Sequence, residues 1–144
     1  IKLLDDINIG IAVSIEGGLV VPVLRLADRK QLEDLAVERV ELVERARSKR
    51  LTPDDVTGGT FTLSNLGMFG IENANVIINP PESAILLIGV IVDKPAAVNG
   101  KVKIRPRMAM TLAIDHRTLD GVAGARFLTR VKELVEDSIL FMAR

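Results

Sequence analysis

The stretch MAMTLAIDHRTLDG, residues 108–121, decides the fold because it contains a strand, a short loop and the start of a helix. Large and small side chains alternate over its first seven residues, a pattern typical of a strand that packs closely against its neighbour. The strand leads into Asp115 and His116, and residues 122–139 then have the apolar spacing of an amphipathic helix. This succession indicates an α/β protein. The helix positions predicted to face inward are Ala125, Leu128, Val131, Leu134 and Val135.

Two further strands are predicted upstream of this stretch. Residues 60–64, Thr-Phe-Thr-Leu-Ser, alternate strictly, so the threonines and Ser64 share one face of a strand that Ser64 ends. The apolar run at residues 84–92 predicts the next strand, after an Asn-Pro-Pro turn at residues 79–81. An Asn-Gly pair at residues 99–100 is a strong hairpin signal. These elements predict a sheet with mixed strands.

The first part of the chain predicts a hairpin followed by a helix. Residues 7–15 and 19–26 are apolar segments separated by a Gly-Gly turn, and Pro22 predicts an edge, a bulge or a bend in the second segment. The spacing predicts a helix that begins after Asp28 as its N-cap and fades near Arg50. The Thr-Pro-Asp sequence that follows predicts a turn or a new helix start. The helix positions predicted to face inward are Leu32, Leu35, Ala36, Val40, Leu42, Val43 and Ala46.

The composition fits one globular domain and excludes several functions. Of the 144 residues, 48% are hydrophobic and 3% aromatic, which predicts an aliphatic core. The 19 basic and 19 acidic residues give no net charge to attract nucleic acid. Without cysteine the chain has no disulfide, thiolate metal site or thioester intermediate of its own, and we expect no metal. The longest apolar run, residues 84–92, is far shorter than the ~20 residues that span a bilayer, so we expect no membrane partner.

His116, the single histidine, is the first candidate for chemistry. It lies at a strand end, and an imidazole with a pKa of ~6.5 can accept and return a proton near neutral pH. The residues alone leave open that His116 only bonds the turn. Ser64 likewise fits an ordinary turn residue that bonds nearby backbone. From spacing alone, a catalytic pair is a hypothesis and no more.

Several motifs together resemble the dihydrolipoamide acyltransferases of 2-oxoacid dehydrogenase complexes. These are Gly-Gly-Thr-Phe-Thr-Leu-Ser-Asn-Leu-Gly at 58–67, Asn-Pro-Pro at 79–81 and Asp-His-Arg through Asp-Gly at 115–121. The resemblance covers nearly the whole chain. It implies the two-layer sandwich with a mixed sheet that the family shares with chloramphenicol acetyltransferase. It also implies that residues 1–144 are the C-terminal part of the catalytic domain, and that the N-terminal part, which helps to form the coenzyme A site, is missing from this chain.

The resemblance assigns roles to individual residues. It implies that His116 is the general base, that Ser64 stabilises the oxyanion, and that Asp120 orders the site through a hydrogen bond or ion pair. Asp120 also fits a carboxylate that stabilises a turn. Leu86 and Met108 resemble positions that line the thiol channel, although aliphatic residues on buried strands usually belong to the core. The motif also contains Asp115 and Arg117, which we expect to form an ion pair rather than to act in catalysis.

The function implied by the resemblance is transfer of an acyl group between dihydrolipoamide and coenzyme A. Coenzyme A is then a substrate, and the lipoyl group is carried on a separate domain that this chain does not match. Residues 64–71 and 78–81 look most like the pyruvate dehydrogenase branch, so we expect acetyl, with succinyl and branched-chain acyl groups open. The alternatives are a noncatalytic scaffold or inactive fragment, and an acetyltransferase for small hydroxylated acceptors.

The resemblance also implies an assembly and a cellular location. We expect a homotrimer with active sites in channels between subunits, stacked into a larger core of undetermined symmetry. The expected partners are the lipoyl domain and the 2-oxoacid dehydrogenase and dihydrolipoamide dehydrogenase subunits. The expected location is the bacterial or archaeal cytoplasm, or the mitochondrial matrix of a eukaryote.

Overall fold

A computed structural model describes residues 1–137 and contains two sheets and two α-helices in that range. The main sheet has five strands in the order β4-β1-β5-β6-β7, and β2 and β3 form a separate pair. The α/β class with a mixed sheet is confirmed. The elements are β1 (Ile9–Ile11), β2 (Val13–Ile15), β3 (Gly18–Val20), β4 (Val23–Leu24), α1 (Leu32–Arg47), β5 (Phe61–Asn65), β6 (Ala84–Val98), β7 (Lys101–Ile114) and α2 (Gly121–Glu136).

The core is centred on β6, which has neighbours on both sides. β6 pairs with β5 in parallel and with β7 in the antiparallel sense. Its first residues are buried because both faces of the sheet are covered there, as a continuous apolar run predicts. Leu86 and Leu87, which point to opposite faces, are only 4% and 1% exposed. The strand therefore separates two layers of contact.

The two faces of the main sheet are covered by different parts of the chain. On one side, α2 packs through Phe127, whose ring centroid lies 5.5 Å from that of Phe61. Gly124 lets the same helix approach Leu112 and Ile114 on β7. The opposite side is covered by the connection 66–83, which reaches the sheet through hydrogen bonds to Thr62 and Thr111. These two sides are called the helix face and the loop face below.

The hairpin of β6 and β7 is longer than the sequence predicts. Its turn is at Asn99 and Gly100, whose φ angles of 51° and 74° are those of a tight hairpin turn, so this prediction is confirmed. The strands were expected only at residues 84–92 and 108–114, but pairing continues to Val98 and Lys101. The predicted strand lengths were wrong because the half of the hairpin near the turn is largely exposed on both faces. Its sequence therefore lacks the alternation of apolar and polar residues that indicates a strand. Backbone pairing alone extends the ladder.

The N-terminal hairpin is divided at Pro22, as the missing amide donor predicts. β1 pairs with β4 in the main sheet, whereas β2 and β3 pair by themselves. The expected N-cap at Asp28 is wrong, because Asp28 lies in a 3₁₀ turn, Ala27–Arg29. Lys30 is extended after it, and the helix α1 begins after Gln31. The predicted new helix start is confirmed as a 3₁₀ turn, Pro53–Val56. The Thr52 amide donates a hydrogen bond to the Asp55 carboxylate at 2.8 Å.

Both helices bury a narrower strip than predicted. On α1, Leu42 and Ala46 are buried and Leu35 and Val43 are half-buried. The inward assignments of Leu32, Ala36 and Val40 on α1 and of Ala125 and Val135 on α2 are wrong, because these residues are exposed. The remaining predicted residues of α2 are half-buried: Leu128, Val131 and Leu134. Each helix meets only one edge or face of the sheet within the chain. The predicted end of α2 at Ile139 lies outside the described residues.

The connection 66–83 packs closely against β6 at Gly89. A Cβ atom at Gly89 would lie 2.0 Å from the carbonyl oxygen of Glu72 and 3.2 Å from that of Ala109. Because both neighbours are backbone atoms, a side chain requires the connection to move. We predict that Gly89→Ala lowers the free energy of unfolding by about 3 kcal/mol or more, measured by urea denaturation.

The matched control is Gly18→Ala, since nothing lies within 4 Å of a Cβ atom there. It should change the free energy of unfolding by no more than about 0.5 kcal/mol. Equal denaturation midpoints for the two variants would contradict the packing of the connection on β6.

Candidate active site

His116 lies on a tight loop between β7 and α2. The carbonyl of Asp115 accepts hydrogen bonds from the amides of Thr118 and Leu119, at 2.9 and 3.0 Å, and so turns the chain directly around His116. The His116 side chain is exposed and has no hydrogen-bond partner within residues 1–137. The loop backbone is therefore held while the imidazole stays available.

Asp115 anchors the start of this loop. Its carboxylate accepts from the Arg117 amide at 3.0 Å and accepts three hydrogen bonds from the guanidinium, at 2.9, 3.1 and 2.7 Å. These bonds and the adjacent positive charge lower the pKa of Asp115 to about 2. The Asp115 amide also donates to the carbonyl of Ser83 at 2.8 Å, which ties the loop to the segment before β6. The expected ion pair is present.

Asp120 anchors the other end of the loop. It is the N-cap of α2, and its carboxylate accepts from the Ala123 amide at 2.7 Å. An N-cap satisfies one of the free amides of the first helical turn and places negative charge at the positive end of the helix. Asp120 therefore fixes where the loop ends, four residues after His116.

His116 borders a cavity of about 560 Å³. Its walls come from residues 76–78 and 80–82 of the connection and from residues 113–117. Most of these side chains are apolar, and Arg117, the one cation among the described lining residues, is paired with Asp115. The cavity could accept a small uncharged group next to the imidazole.

Ser64 lies on the loop face of β5, away from this cavity. In the sheet it is level with Leu87 on β6 and, through it, with Thr111 on β7. His116 follows the far end of β7, so Ser64 is separated from it by about 10 Å across the sheet and more than about 10 Å along it. Because β5 and β7 run in opposite directions, their C-terminal ends point to opposite edges. One chain does not bring Ser64 and His116 together.

Leu86 and Met108 lie on the helix face, opposite Ser64. Leu86 is 4% exposed and level with Leu63, so it belongs to the core of this chain. Met108 is half-buried and lines a groove between the β6–β7 hairpin and α2, together with Leu128. Neither residue borders the His116 cavity, and their role in a thiol channel stays a prediction.

A buried polar cluster beside the cavity was missed by the sequence reasoning. The Thr62 hydroxyl donates to Glu82 Oε2 at 2.6 Å, and Asn79 Nδ2 donates to Glu82 Oε1 at 3.3 Å. Thr62 and Glu82 are only 1% and 7% exposed. The available signals were a threonine in the middle of a strand that faces the core and a glutamate two residues before a buried apolar run. Nothing in their spacing of 20 residues indicates contact.

Comparison with known proteins identifies the family. Residues 1–143 match the sequence profile of the catalytic domain of the 2-oxoacid dehydrogenases acyltransferase family. The chain belongs to this family. Within residues 1–137, no helix is long and apolar enough to cross a membrane.

The relatives include transferases of two acyl groups. The chain is 43% identical over 142 residues to the dihydrolipoyllysine-residue acetyltransferase component of the pyruvate dehydrogenase complex of Rickettsia bellii, covering 99% of this chain and 34% of the relative. It is 48% identical over 133 residues to the mitochondrial succinyltransferase component of the 2-oxoglutarate dehydrogenase complex of Sus scrofa, covering 92% of this chain and 29% of the relative. The chain thus spans about a third of the length of these relatives.

Among solved structures, the dihydrolipoamide acetyltransferase of Azotobacter vinelandii superposes with a TM-score of 0.91 at 40% identity, covering 96% of this chain and 57% of that one. This likeness to an acyltransferase core confirms the expected fold. That structure was studied for the catalytic roles of a serine, a histidine 52 residues later and an asparagine four residues further on. The same intervals separate Ser64, His116 and Asp120 here, with aspartate in the last place.

The anchoring of the His116 loop predicts a pH dependence. The pKa of Asp115 is lowered to about 2 in the folded protein, below its ordinary value of 3.8. The stabilisation it gives is therefore complete above the ordinary pKa and is lost as the pH falls through about 2. We predict that Asp115→Asn lowers the thermal midpoint at pH 6, and that this difference from the unmodified protein shrinks towards pH 2.5.

Arg117→Gln removes the other partner of the pair and should give the same dependence in the same thermal scans. If the effect of Asp115→Asn has the same size at pH 2.5 and pH 6, the ionised pair does not hold the loop.

Proposed function

We propose that this protein transfers an acetyl group between dihydrolipoamide and coenzyme A. The observation that carries the proposal is the placement of His116, exposed on an anchored loop beside a mainly apolar cavity, in a chain of the acyltransferase family. The acyl group passes from a thioester to a thiol, and a thiol with a pKa of ~8.5 is mostly protonated at neutral pH. A base next to the reacting sulfur is what the reaction needs.

His116 is the proposed general base. It takes the proton from the coenzyme A thiol as the sulfur attacks the acyl carbonyl carried on dihydrolipoamide. The new carbon–sulfur bond gives a tetrahedral oxyanion, which collapses as the bond to the dihydrolipoamide sulfur breaks. The imidazolium then returns its proton to that sulfur. Both substrates bind together and no acyl-enzyme forms, in keeping with a chain that has no cysteine.

Ser64 is the proposed donor to the oxyanion, and it comes from a second chain. The intervals shared with the serine and histidine studied in the Azotobacter enzyme support this pair. Since one chain holds Ser64 and His116 at opposite edges of its sheet, they can meet only across an interface. We propose a homotrimer with the site between subunits, with Asp120 ordering the His116 loop as its N-cap anchor.

Exposed apolar side chains support an assembly. A monomer rarely leaves many large aliphatic and aromatic residues in water, and such surfaces mark contacts with other chains. Between residues 5 and 137, the large apolar residues that are more than 60% exposed are Leu19, Leu32, Met68, Phe69, Ile77, Ile91, Val102 and Ile104. Trimers that stack into a larger core would cover them.

The cavity beside His116 supports acetyl as the acyl group. A succinyl group ends in a carboxylate, and its binding is favoured by a free cation beside that terminal carboxylate. Arg117 is already paired with Asp115, and Glu82 adds a further acidic group to the wall. The similar identities to acetyl- and succinyltransferases leave the choice to this chemistry.

In the cell, we propose that the acyl group arrives on a lipoyl group carried by another domain. The 2-oxoacid dehydrogenase and dihydrolipoamide dehydrogenase subunits of the complex are the proposed partners. The location is the bacterial or archaeal cytoplasm or the mitochondrial matrix. A noncatalytic core subunit is the alternative, and it leaves unexplained an exposed histidine held from both sides.

We predict that His116→Ala lowers acetyl transfer from acetyl-CoA to dihydrolipoamide by roughly 10²- to 10⁴-fold. Ser64→Ala should lower kcat by roughly 10²- to 10³-fold. The full-length protein is assayed by thioester formation. Ser14→Ala, at an exposed serine on β2, is the control and should keep full activity. If His116→Ala forms the native assembly and keeps the native rate, the protein is not this enzyme and a scaffold is the better account.

Mixing inactive variants tests the shared site. If Ser64 and His116 come from different chains, trimers assembled from equal amounts of Ser64→Ala and His116→Ala chains contain about a quarter intact sites. We therefore expect about a quarter of the native activity after co-assembly, whereas each variant alone is inactive. No recovered activity in verified mixed trimers would place both residues of each site on the same chain.

A further inference from the structure

Glu82 is a buried carboxylate that takes no part in the proposed proton transfers. It lies between the strand that carries Ser64 and the loop that carries His116, and it is 7% exposed. We propose that Glu82 is a positioning residue, which fixes the spacing between these two elements and so sets the geometry of the assembled site. This inference rests on the proposed function, since it concerns the placement of its two catalytic groups.

Two hydrogen bonds link the strand of Ser64 to the loop of His116, and the first of them joins β5 to Glu82. Ser64 and Thr62 are two residues apart on β5 and share the loop face. The Thr62 hydroxyl donates to Glu82 Oε2 at 2.6 Å, with the Thr62 side chain 1% exposed. A short hydrogen bond between two buried side chains restricts their relative movement. The position of β5 therefore depends on the position of Glu82.

The second hydrogen bond joins the residue after Glu82 to the loop that carries His116. Ser83, the next residue, accepts a hydrogen bond at its carbonyl from the Asp115 amide at 2.8 Å. Asp115 directly precedes His116 and turns the loop around it. Ser64 and His116 are therefore connected through two hydrogen bonds and otherwise only neighbouring residues. Glu82 contributes the only side-chain acceptor on this route within the described residues.

The surroundings of Glu82 indicate that the carboxylate has a specific place. Burying a carboxylate is unfavourable unless it is well paired, and its described partners are the neutral donors Thr62 and Asn79 rather than a cation. Gly59 leaves room for it, because a Cβ atom there would lie 2.6 Å from Glu82 Oε1. An apolar residue would fill this space at lower cost. Stability of the core alone does not account for a carboxylate here.

The distance between Ser64 and His116 within one chain matters because the proposed trimer is a closed ring. In a threefold ring, each chain gives Ser64 to one site and His116 to the next, so one fixed offset is repeated at every interface. An error in that offset appears at all sites together. Misplacement of reacting groups by about 1 Å can lower a rate by roughly 100-fold.

The kinetic test uses three substitutions in the full-length protein. Glu82→Gln keeps an acceptor for Thr62 and should retain kcat within about threefold, whereas Glu82→Leu removes it and should lower kcat by about tenfold or more with KM for acetyl-CoA little changed. Thr62→Val should lower kcat to a similar extent. The double variant Thr62→Val/Glu82→Leu should be no slower than the worse single variant, because both remove the same link.

A distance measurement tests the same link without chemistry. The chain has no cysteine, so Asn65→Cys and Leu119→Cys place spin labels at exposed positions at the end of β5 and within the His116 loop. Labelled chains are diluted with unlabelled chains so that distances within one chain are observed. We expect a narrow distance distribution for the native protein and for Glu82→Gln, and a broader or shifted distribution for Glu82→Leu.

The outcomes separate this inference from the proposed function. If Glu82→Leu keeps the native kcat and distance distribution, Glu82 does not position the site, whatever the effect of His116→Ala. A loss of kcat without a change in distance also overturns it, because Glu82 would then act by another route. If His116→Ala is fully active, the proposed function fails, and a broadened distance in Glu82→Leu still supports the structural link.

Discussion

The pairing of β6 with β5 on one side and β7 on the other is the constraint on which the rest of the structure depends. A parallel neighbour and an antiparallel neighbour give β5 and β7 opposite directions, so the residues that follow them emerge at opposite edges of the sheet. Ser64 and His116 lie near the ends of these two strands. The same hydrogen bonds that build the core therefore keep the two proposed catalytic groups apart within one chain. An active site made from both requires a second copy.

The dependence on a second copy agrees with the surface of the chain. The distal half of the β6–β7 hairpin and the outer sides of both helices leave large apolar residues in water, among them Ile91, Val102 and Val122. Water around such residues is unfavourable, and their burial in an assembly would add to stability roughly in proportion to the apolar area removed. The proposed assembly and the proposed shared site thus have a common basis, since residues 1–137 neither cover their apolar surface nor bring Ser64 and His116 together.

Local features of the fold were predictable because their causes are local. The Asn99–Gly100 turn, the break at Pro22 and the 3₁₀ start after Thr52 each follow from the backbone preferences of one or two residues. The predicted N-cap at Asp28 failed because a 3₁₀ turn competes for the same short polar residue. The predicted length of the β6–β7 hairpin was wrong for a different reason. Alternation of apolar and polar residues indicates burial, whereas the distal half of the hairpin is exposed and is held by backbone hydrogen bonds.

The residues of the site could be named from a motif, but the separation of Ser64 and His116 depends on strand order. Contact between Glu82 and Thr62, 20 positions apart, has no periodic signature either.

A general base must be reachable by its substrate and yet held in one place, and the His116 loop meets both demands by fixing the backbone rather than the side chain. Asp115 turns the chain before the histidine and Asp120 caps the helix after it, each through bonds of 2.7 to 3.0 Å. The imidazole itself has no hydrogen-bond partner within residues 1–137. Its two nitrogens are thus left for groups from outside residues 1–137. A histidine that served only to bond its own turn would use one of them there, as Asp115 and Asp120 do with their carboxylates.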